Sequence, residues 1–184
     1  FAEHAPGAYF YYANCTWGLV ASVVEKVSGE RFDRYCRQHI LRPLGMQADF
    51  DVSHVESSDD IAVLYLYREG AWISQADDYQ GERPESRGFE GYKVGQNGLL
   101  FGPQGSLRAS ARDLSLIAQL LMNDGTWNGQ RILKKETVDM MLDEQWTFDG
   151  NNGNTSDNFF HSYGLAIHRT LNRDRADIVF PDRK

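Results

Sequence analysis

The stretch FYYAN, residues 10–14, runs into WGLV, residues 17–20, so an aromatic-rich segment leads directly into an apolar helix. Tyr12 and Asn14 form a Tyr-x-Asn pattern, which places a phenol and a carboxamide where a loop meets that helix. Such a pair can hold a substrate and relay a proton beside a reacting carbonyl, provided that another residue supplies the nucleophile. The pattern alone therefore indicates the phenol and the amide of a proton-transfer site, without its nucleophile.

The apolar residues that follow Asn14 recur at helical spacing and predict a helix that ends near Gly29. Asn14 fits the N-cap position of this helix, and Gly29 fits a left-handed C-terminal cap. β-Branched valines are poor formers of isolated helices, so we expect burial of the apolar stripe to hold the helix. The stripe consists of Leu19, Val20, Val23, Val24 and Val27.

Three further helices are predicted from the same periodicity. The first covers about residues 31–40 and ends before Pro43, because proline interrupts a helix. The next begins at Ser110, which forms an acidic variant of the capping box with Asp113. The last covers residues 133–142.

Two hairpins are predicted beside these helices. The first joins residues 61–67, which are rich in aliphatic and aromatic residues, to residues 71–73 through a turn at 68–70. Residues 163–168 read as a strand that turns back into residues 178–180, where no further strand is left to pair. Residues 74–105 show no periodicity. The pattern indicates an α+β protein whose sheet is half present.

The overall composition excludes several classes of protein. A length of 184 residues fits one domain, and a net charge of -7 argues against nucleic acid or an anionic membrane surface as a partner. No apolar run approaches the ~18 residues of a membrane span. Cys15 and Cys36 are expected to be buried free thiols, which leave the cellular compartment open. The sequence does not begin with Met, so both termini are expected to be cut edges of a longer protein.

Several motifs around Tyr-x-Asn together resemble one superfamily. They are Pro6-Gly7, the valine-striped helix, Pro-Leu-Gly-Met at 43–46, the small-residue turn and helix at 105–114, and Tyr-Gly-Leu-Ala at 163–166. In this order the sequence resembles the serine β-lactamase-related proteins of the class C type, which include penicillin-binding DD-peptidases and esterases. The resemblance covers most of residues 6–167.

The resemblance implies roles for the two motif residues. In that superfamily a Ser-x-x-Lys motif supplies the nucleophile and its base, and a Lys-Ser/Thr-Gly or His-x-Gly stretch on an edge strand completes the pocket. Tyr-x-Asn supplies a proton-shuttling phenol and a substrate-holding amide, which implies that Tyr12 is catalytic and that Asn14 binds substrate. None of the twelve serines is followed by lysine three residues later, and the third motif is also missing from the sequence.

We therefore expect residues 1–184 to be a single partial domain with an α+β, β-lactamase/transpeptidase-like fold. It would comprise mostly the helical region, a hairpin, and the strands that re-enter an incomplete antiparallel sheet. The implied function is the central part of a serine hydrolase that forms an acyl-enzyme with a β-lactam, a D-amino-acid peptide or a small ester. The alternative is a catalytically inactive module that binds or senses peptidoglycan.

The expected partner is a small-molecule or peptide substrate, with no cofactor and no metal. His-Glu-x-x-His and Gly-x-Ser-x-Gly are both missing from the sequence, which gives no support to a zinc protease or a Ser-His-Asp hydrolase. The resemblance implies export to the periplasm or cell surface, and the oligomeric state stays open. The fragment alone is expected to be inactive.

Both motif residues also have a structural interpretation. Tyr12 would be a half-buried aromatic residue with one hydroxyl hydrogen bond, and Asn14 an N-cap that stabilises its helix by about 1 kcal/mol. A tyrosine accepts a proton from serine only beside a cation that stabilises the phenolate. No Lys or Arg lies within ten residues of Tyr12, so the functional interpretation needs a cation from elsewhere in the fold.

Overall fold

A computed structural model describes residues 3–56, 58–86 and 88–170, which form two compact units. The terminal unit comprises the described residues of Phe1–Ala13 and Leu120–Lys184, and the central unit comprises those of Asn14–Gln119. The prediction of a single partial domain stays a prediction. No helix in the described ranges is long and apolar enough to cross a membrane.

The predicted helices and the first predicted hairpin occur in the predicted order. The central unit contains α1 (Cys15–Ser28), α2 (Phe32–Cys36), α3 (Arg42–Leu44), β1 (Leu64–Arg68) and β2 (Ala71–Ala76), and α4 (Ala111–Met122) begins in it. The terminal unit contains β3 (Thr126–Trp127), β4 (Gln130–Arg131), α5 (Lys135–Leu142), β5 (Trp146–Thr147) and β6 (Ser162–Tyr163). The strands form three antiparallel pairs, β1–β2, β3–β4 and β5–β6. The short strands β3, β4 and β5 were not predicted.

The buried face of α1 is not the predicted apolar stripe. Leu19, Val23 and Val27 are 71%, 60% and 85% exposed, so the prediction that they are buried in this fold was wrong. The opposite face packs on a single helical turn, Gly98–Phe101. A Cβ on Gly18 would lie 2.8 Å from the Leu99 Cβ, so this close approach requires a small residue. The hydrophobic periodicity predicted the helix correctly but predicted the wrong face of it to be buried.

Glu25 anchors α1 to two other segments of the central unit. Its side chain is fully buried, and one carboxylate oxygen accepts a hydrogen bond from the Phe32 amide at 2.9 Å, where α2 begins. The other oxygen accepts from the Tyr92 hydroxyl at 2.5 Å and from the Gly95 amide at 2.8 Å. Burial, together with this hydrogen bond to Glu25, raises the pKa of Tyr92. A buried carboxylate with three donors is therefore a structural hub.

The helical path continues through Pro43, contrary to the prediction that it ends there. A π-helical turn, Arg37–Leu41, joins α2 to α3, and Pro43 lies in the first turn of α3. The Arg42 amide still donates to the Arg37 carbonyl in the π-helical pattern, and Pro43, which has no N–H to donate, directly follows it. Gly45, at φ 74°, then ends the path in the left-handed conformation.

The capping box at α4 is confirmed in both directions. The Asp113 amide donates to the Ser110 hydroxyl at 3.1 Å, and the Ser110 amide donates to the Asp113 carboxylate at 3.0 Å. Burial alone would raise the pKa of Asp113, but hydrogen bonds from Ser110 and from the Gln47 amide, with the nearby Arg112, outweigh it and lower that pKa. The box therefore also joins α4 to the chain at Gln47.

Of the two predicted hairpins, the first is confirmed. β1 and β2 join through Glu69 and Gly70, both at positive φ (52° and 84°), as a tight turn between twisted strands requires. The predicted strand at 163–168 is mostly a turn: the Gly164 amide donates to the Ile167 carbonyl at 2.9 Å. Residues 171–175 and 178–180 lie outside the described residues.

Replacing Glu25 with Ala should lower the free energy of unfolding by about 3 kcal/mol or more, because one buried and two part-buried donors lose their acceptor. Urea unfolding followed by circular dichroism measures this change. The matched control is Glu30→Ala, which removes only a carboxylate paired with the exposed His39 at 2.9 Å and should cost less than about 1 kcal/mol. Equal losses in the two variants would contradict the role given to Glu25.

Candidate functional site

Backbone hydrogen bonds fix the segment that leads into Tyr12. The Phe10 amide donates to the Asn152 carbonyl at 2.9 Å, and the Asn154 amide donates to the Phe10 carbonyl at 2.9 Å. Phe10 thereby forms a parallel bridge with Gly153. The polar loop around residues 151–154 thus acts as the partner of a short extended segment.

Aromatic rings in the terminal unit reinforce this bridge. The Phe10 ring stacks on Trp146 with centroids 4.1 Å apart and planes 16° apart, and it also stacks on Tyr163 at 5.1 Å. The Trp146 indole N–H donates to the Asn152 carbonyl at 3.2 Å. A Cβ on Gly153 would lie 2.5 Å from the Trp146 ring and 3.1 Å from the Phe10 Cβ. Only glycine fits between these two side chains.

The Tyr12 ring lies two residues further along, against the side of Phe160. The two rings are stacked with centroids 5.1 Å apart and planes 25° apart. Phe160 is only 8% exposed, whereas Tyr12 is 46% exposed. Within the described part of the chain, the Tyr12 hydroxyl has no hydrogen-bond partner. The Tyr12 ring is therefore supported by Phe160, while its hydroxyl makes no hydrogen bond within the described residues.

Tyr163 is a second phenol close to Tyr12. Burial raises the pKa of Tyr163, and the negative charge that Tyr12 would carry when ionised raises it further. Tyr163 also stacks on His168, with centroids 5.4 Å apart. No motif in the sequence points directly to these neighbours of Tyr12. The adjacent Phe159-Phe160 and the Tyr163 of Tyr-Gly-Leu-Ala were the only hints.

Asn14 occupies the N-cap position of α1 without capping it. Its backbone is right-handed helical, its side chain makes no capping hydrogen bond, and only its carbonyl accepts from the Trp17 amide at 3.2 Å. The structural interpretation of Asn14 as a side-chain cap was therefore wrong. Asn14 belongs to the central unit and Tyr12 to the terminal unit.

The two cysteines differ in environment. Cys15 is exposed, so the expectation that it is buried was wrong, whereas Cys36 is buried as predicted. Burial, with the nearby Asp33 carboxylate, raises the pKa of Cys36 to about 12, so this thiol stays protonated and unreactive at neutral pH. Across residues 3–56, 58–86 and 88–170, no cluster of three or more His, Cys, Asp or Glu side chains is arranged to hold a metal ion.

A cavity of about 450 Å³ in the central unit does not include either motif residue. Arg108, on its wall, donates two hydrogen bonds to Asp77 at 2.7 and 2.9 Å, and Asp113 is engaged by the capping box. Its charged groups are thus largely occupied in holding loops together. The chemistry suggested by the sequence lies at Tyr12 instead.

The Beta-lactamase family model matches residues 2–175. The chain belongs to the Beta-lactamase family. The resemblance stated from the motifs is thereby confirmed. No curated protein matches the sequence significantly.

Comparison with solved structures supports the same fold. The chain is similar to the octameric penicillin-binding protein homologue from Pyrococcus abyssi, with a TM-score of 0.61 and 24% identity. The similarity covers 89% of this chain and 31% of that one, so the chain spans about a third of the length of its structural neighbour. The predicted α+β, β-lactamase/transpeptidase-like fold class is confirmed.

Replacing Gly153 with Ala should lower the free energy of unfolding by about 1–3 kcal/mol, because the added methyl group overlaps the Trp146 ring. Hydrogen exchange at the Phe10 and Asn154 amides should accelerate as their bridge loosens. Gly105→Ala is the matched control, since a Cβ there meets nothing within 4 Å. Unchanged exchange at Phe10 would show that the bridge does not depend on this close approach.

Proposed function

We propose that this chain is the central part of a serine hydrolase that forms an acyl-enzyme with a β-lactam, a D-amino-acid peptide or a small ester. Tyr12 would act as the proton-relaying phenol and Asn14 as the amide that binds the substrate carbonyl. Membership of the Beta-lactamase family supports the reaction class. The substrate, the complete active site and export from the cytoplasm are part of the proposal.

The observation that carries the proposal is that the Tyr12 ring is supported while its hydroxyl makes no hydrogen bond within the described ranges. A tyrosine that served only to fill the core would be buried along its length, with its hydroxyl paired. Tyr12 instead rests one face on the buried Phe160, and its hydroxyl has no partner within the described ranges. A fixed ring with an open hydroxyl is the arrangement that a proton relay needs.

The proposed reaction requires a serine and a lysine from a Ser-x-x-Lys motif in the longer protein. The serine oxygen forms a bond to the substrate carbonyl carbon, and the bond from that carbon to the leaving nitrogen or oxygen breaks. The serine proton passes through the Tyr12 hydroxyl to the leaving group, so Tyr12 ends the step protonated. Water then hydrolyses the acyl-enzyme, releasing the acid and restoring the serine.

Asn14 suits the second role because its side chain is not used as a helix cap. Its carboxamide carries both a donor and an acceptor, so it can donate to a substrate carbonyl and accept from a lysine ammonium. The alternative function is an inactive binding or peptidoglycan-sensing module, which would be favoured if the complete protein lacked Ser-x-x-Lys. The sequence of the complete gene product discriminates between the two.

Replacing Tyr12 with Phe in the complete protein should lower the acylation rate constant by roughly two orders of magnitude, because the relay hydroxyl is lost while the ring remains. Acylation is measured from the initial burst of p-nitrophenol released from p-nitrophenyl acetate and from nitrocefin turnover. Tyr11→Phe is the matched control, since Tyr11 is an adjacent phenol that is 67% exposed. It should leave the rate constant within twofold.

Two results would contradict the hydrolase proposal. An unchanged acylation rate constant in Tyr12→Phe would remove Tyr12 from the reaction. A complete protein that binds a penicillin reversibly but never forms a covalent adduct, as judged by intact mass, would support the inactive binding module.

The 184-residue chain by itself should not hydrolyse nitrocefin or p-nitrophenyl acetate above the rate of a heat-denatured sample, because no serine with a lysine three residues later is present. Absorbance assays on the purified chain measure this. Hydrolysis that disappears in Tyr12→Phe but persists in Tyr11→Phe would show that a nucleophile other than a Ser-x-x-Lys serine operates here.

A further inference from the structure

We propose that Phe160 is a positioning residue for Tyr12, which sets the orientation of the phenol for proton transfer. The inference rests on the proposed function, because it assigns a role within the same reaction. Its basis is a contact between Tyr12 and a turn that lies far along the chain, where the sequence carries no recognisable catalytic motif.

Phe160 supports Tyr12 from one side only. The ring planes are 25° apart with centroids at 5.1 Å, a stacked geometry that restricts rotation of the Tyr12 ring. Tyr12 remains 46% exposed, so this contact leaves part of the side chain uncovered. A tyrosine has only two side-chain torsions, so one flat contact limits much of its freedom.

The Phe160 ring is itself held on several sides. Its edge meets the rings of Phe10, Phe159, Tyr163 and His168, with centroids 6.2, 4.9, 5.3 and 5.3 Å away. Such edge-to-face contacts fix the orientation of a ring as well as burying it. Phe160 therefore presents a rigid surface to Tyr12.

The backbone of the same turn is also fixed. The Phe159 and Phe160 amides both donate to the Thr155 carbonyl, at 2.9 and 2.8 Å. Residues 156–158 have positive φ values of 47°, 58° and 68°, a conformation that non-glycine residues adopt only where surrounding contacts require it. The turn therefore holds Phe160 at a defined position against Tyr12.

Positioning matters because a displacement of about 1 Å in a reacting group can cost up to about a hundredfold in rate. Leu at position 160 would keep an apolar side chain but remove the flat surface. Tyr12 would then sample more orientations, of which fewer suit proton transfer. The expected loss therefore falls on the acylation step and not on substrate binding.

The test is a double-mutant cycle on the complete protein with Phe160→Leu, Tyr12→Phe and the combination. Burst kinetics with p-nitrophenyl acetate separate the acylation rate constant from the apparent dissociation constant. Phe160→Leu should lower the rate constant about tenfold and change the dissociation constant less than twofold. In the Tyr12→Phe background the same substitution should change the rate constant less than twofold, because Phe160 acts through the Tyr12 hydroxyl.

A matched control separates positioning from general loss of packing. Phe148→Leu makes the same change at another half-buried ring in the terminal unit, which contacts Trp146 and His161. It should leave the acylation rate constant within twofold. Thermal melting of each variant establishes that it is folded at the assay temperature, and Phe160→Met, which fills volume more adaptably, replaces Phe160→Leu if that variant is unfolded.

The outcomes distinguish the two proposals. An equal fold-loss from Phe160→Leu with and without the Tyr12 hydroxyl, or no loss in the wild-type background, would overturn the positioning role alone. A normal acylation rate constant in Tyr12→Phe would overturn the proposed function instead. Non-additive losses, with Phe148→Leu unaffected, would support both.

Discussion

The pairing of Phe10 with the loop at residues 152–154 is the constraint on which the candidate site depends. Two backbone hydrogen bonds and a stacked indole hold Phe10, and Gly153 permits the approach. Tyr12 follows two residues later, so its position depends on this bridge. Closing so long a loop costs chain entropy, which the aromatic cluster of the terminal unit must offset by burial and stacking.

Features with a local physical cause were predicted correctly from the sequence. The Ser110–Asp113 capping box, the left-handed Gly29 and the turn at Glu69-Gly70 each depend on residues within a few positions of one another. Features that depend on packing between residues far apart in the sequence were not predicted correctly. The close approach of Leu99 to Gly18 determines which face of α1 is buried. The hydrophobic periodicity of α1 alone could not predict this contact.

The candidate site divides in the same way. Tyr12 and Asn14 were identified because their short motif stands in order with the following helix and the Pro-Leu-Gly-Met turn, although their roles stay proposals. Phe160 could not be identified, because its relation to Tyr12 exists only once the bridge at Phe10 has formed. A stacking partner has no required spacing and no required neighbour in sequence. Motifs therefore point to the groups that react, whereas the groups that orient them must be read from the structure.

Two features of the chain have one explanation under the proposed function. The stripe on α1 leaves Leu19, Val23 and Val27 exposed, although helices rich in valine need burial to persist. Tyr12, in the terminal unit, stacks its ring on Phe160, and its hydroxyl has no hydrogen-bond partner among the described residues. A partial domain would have both properties, since the polypeptide that buries the stripe and the residues that engage the phenol would belong to the rest of the protein. Under the proposed function, the terminal unit would contribute an oriented phenol, Tyr12, to a site that other residues complete.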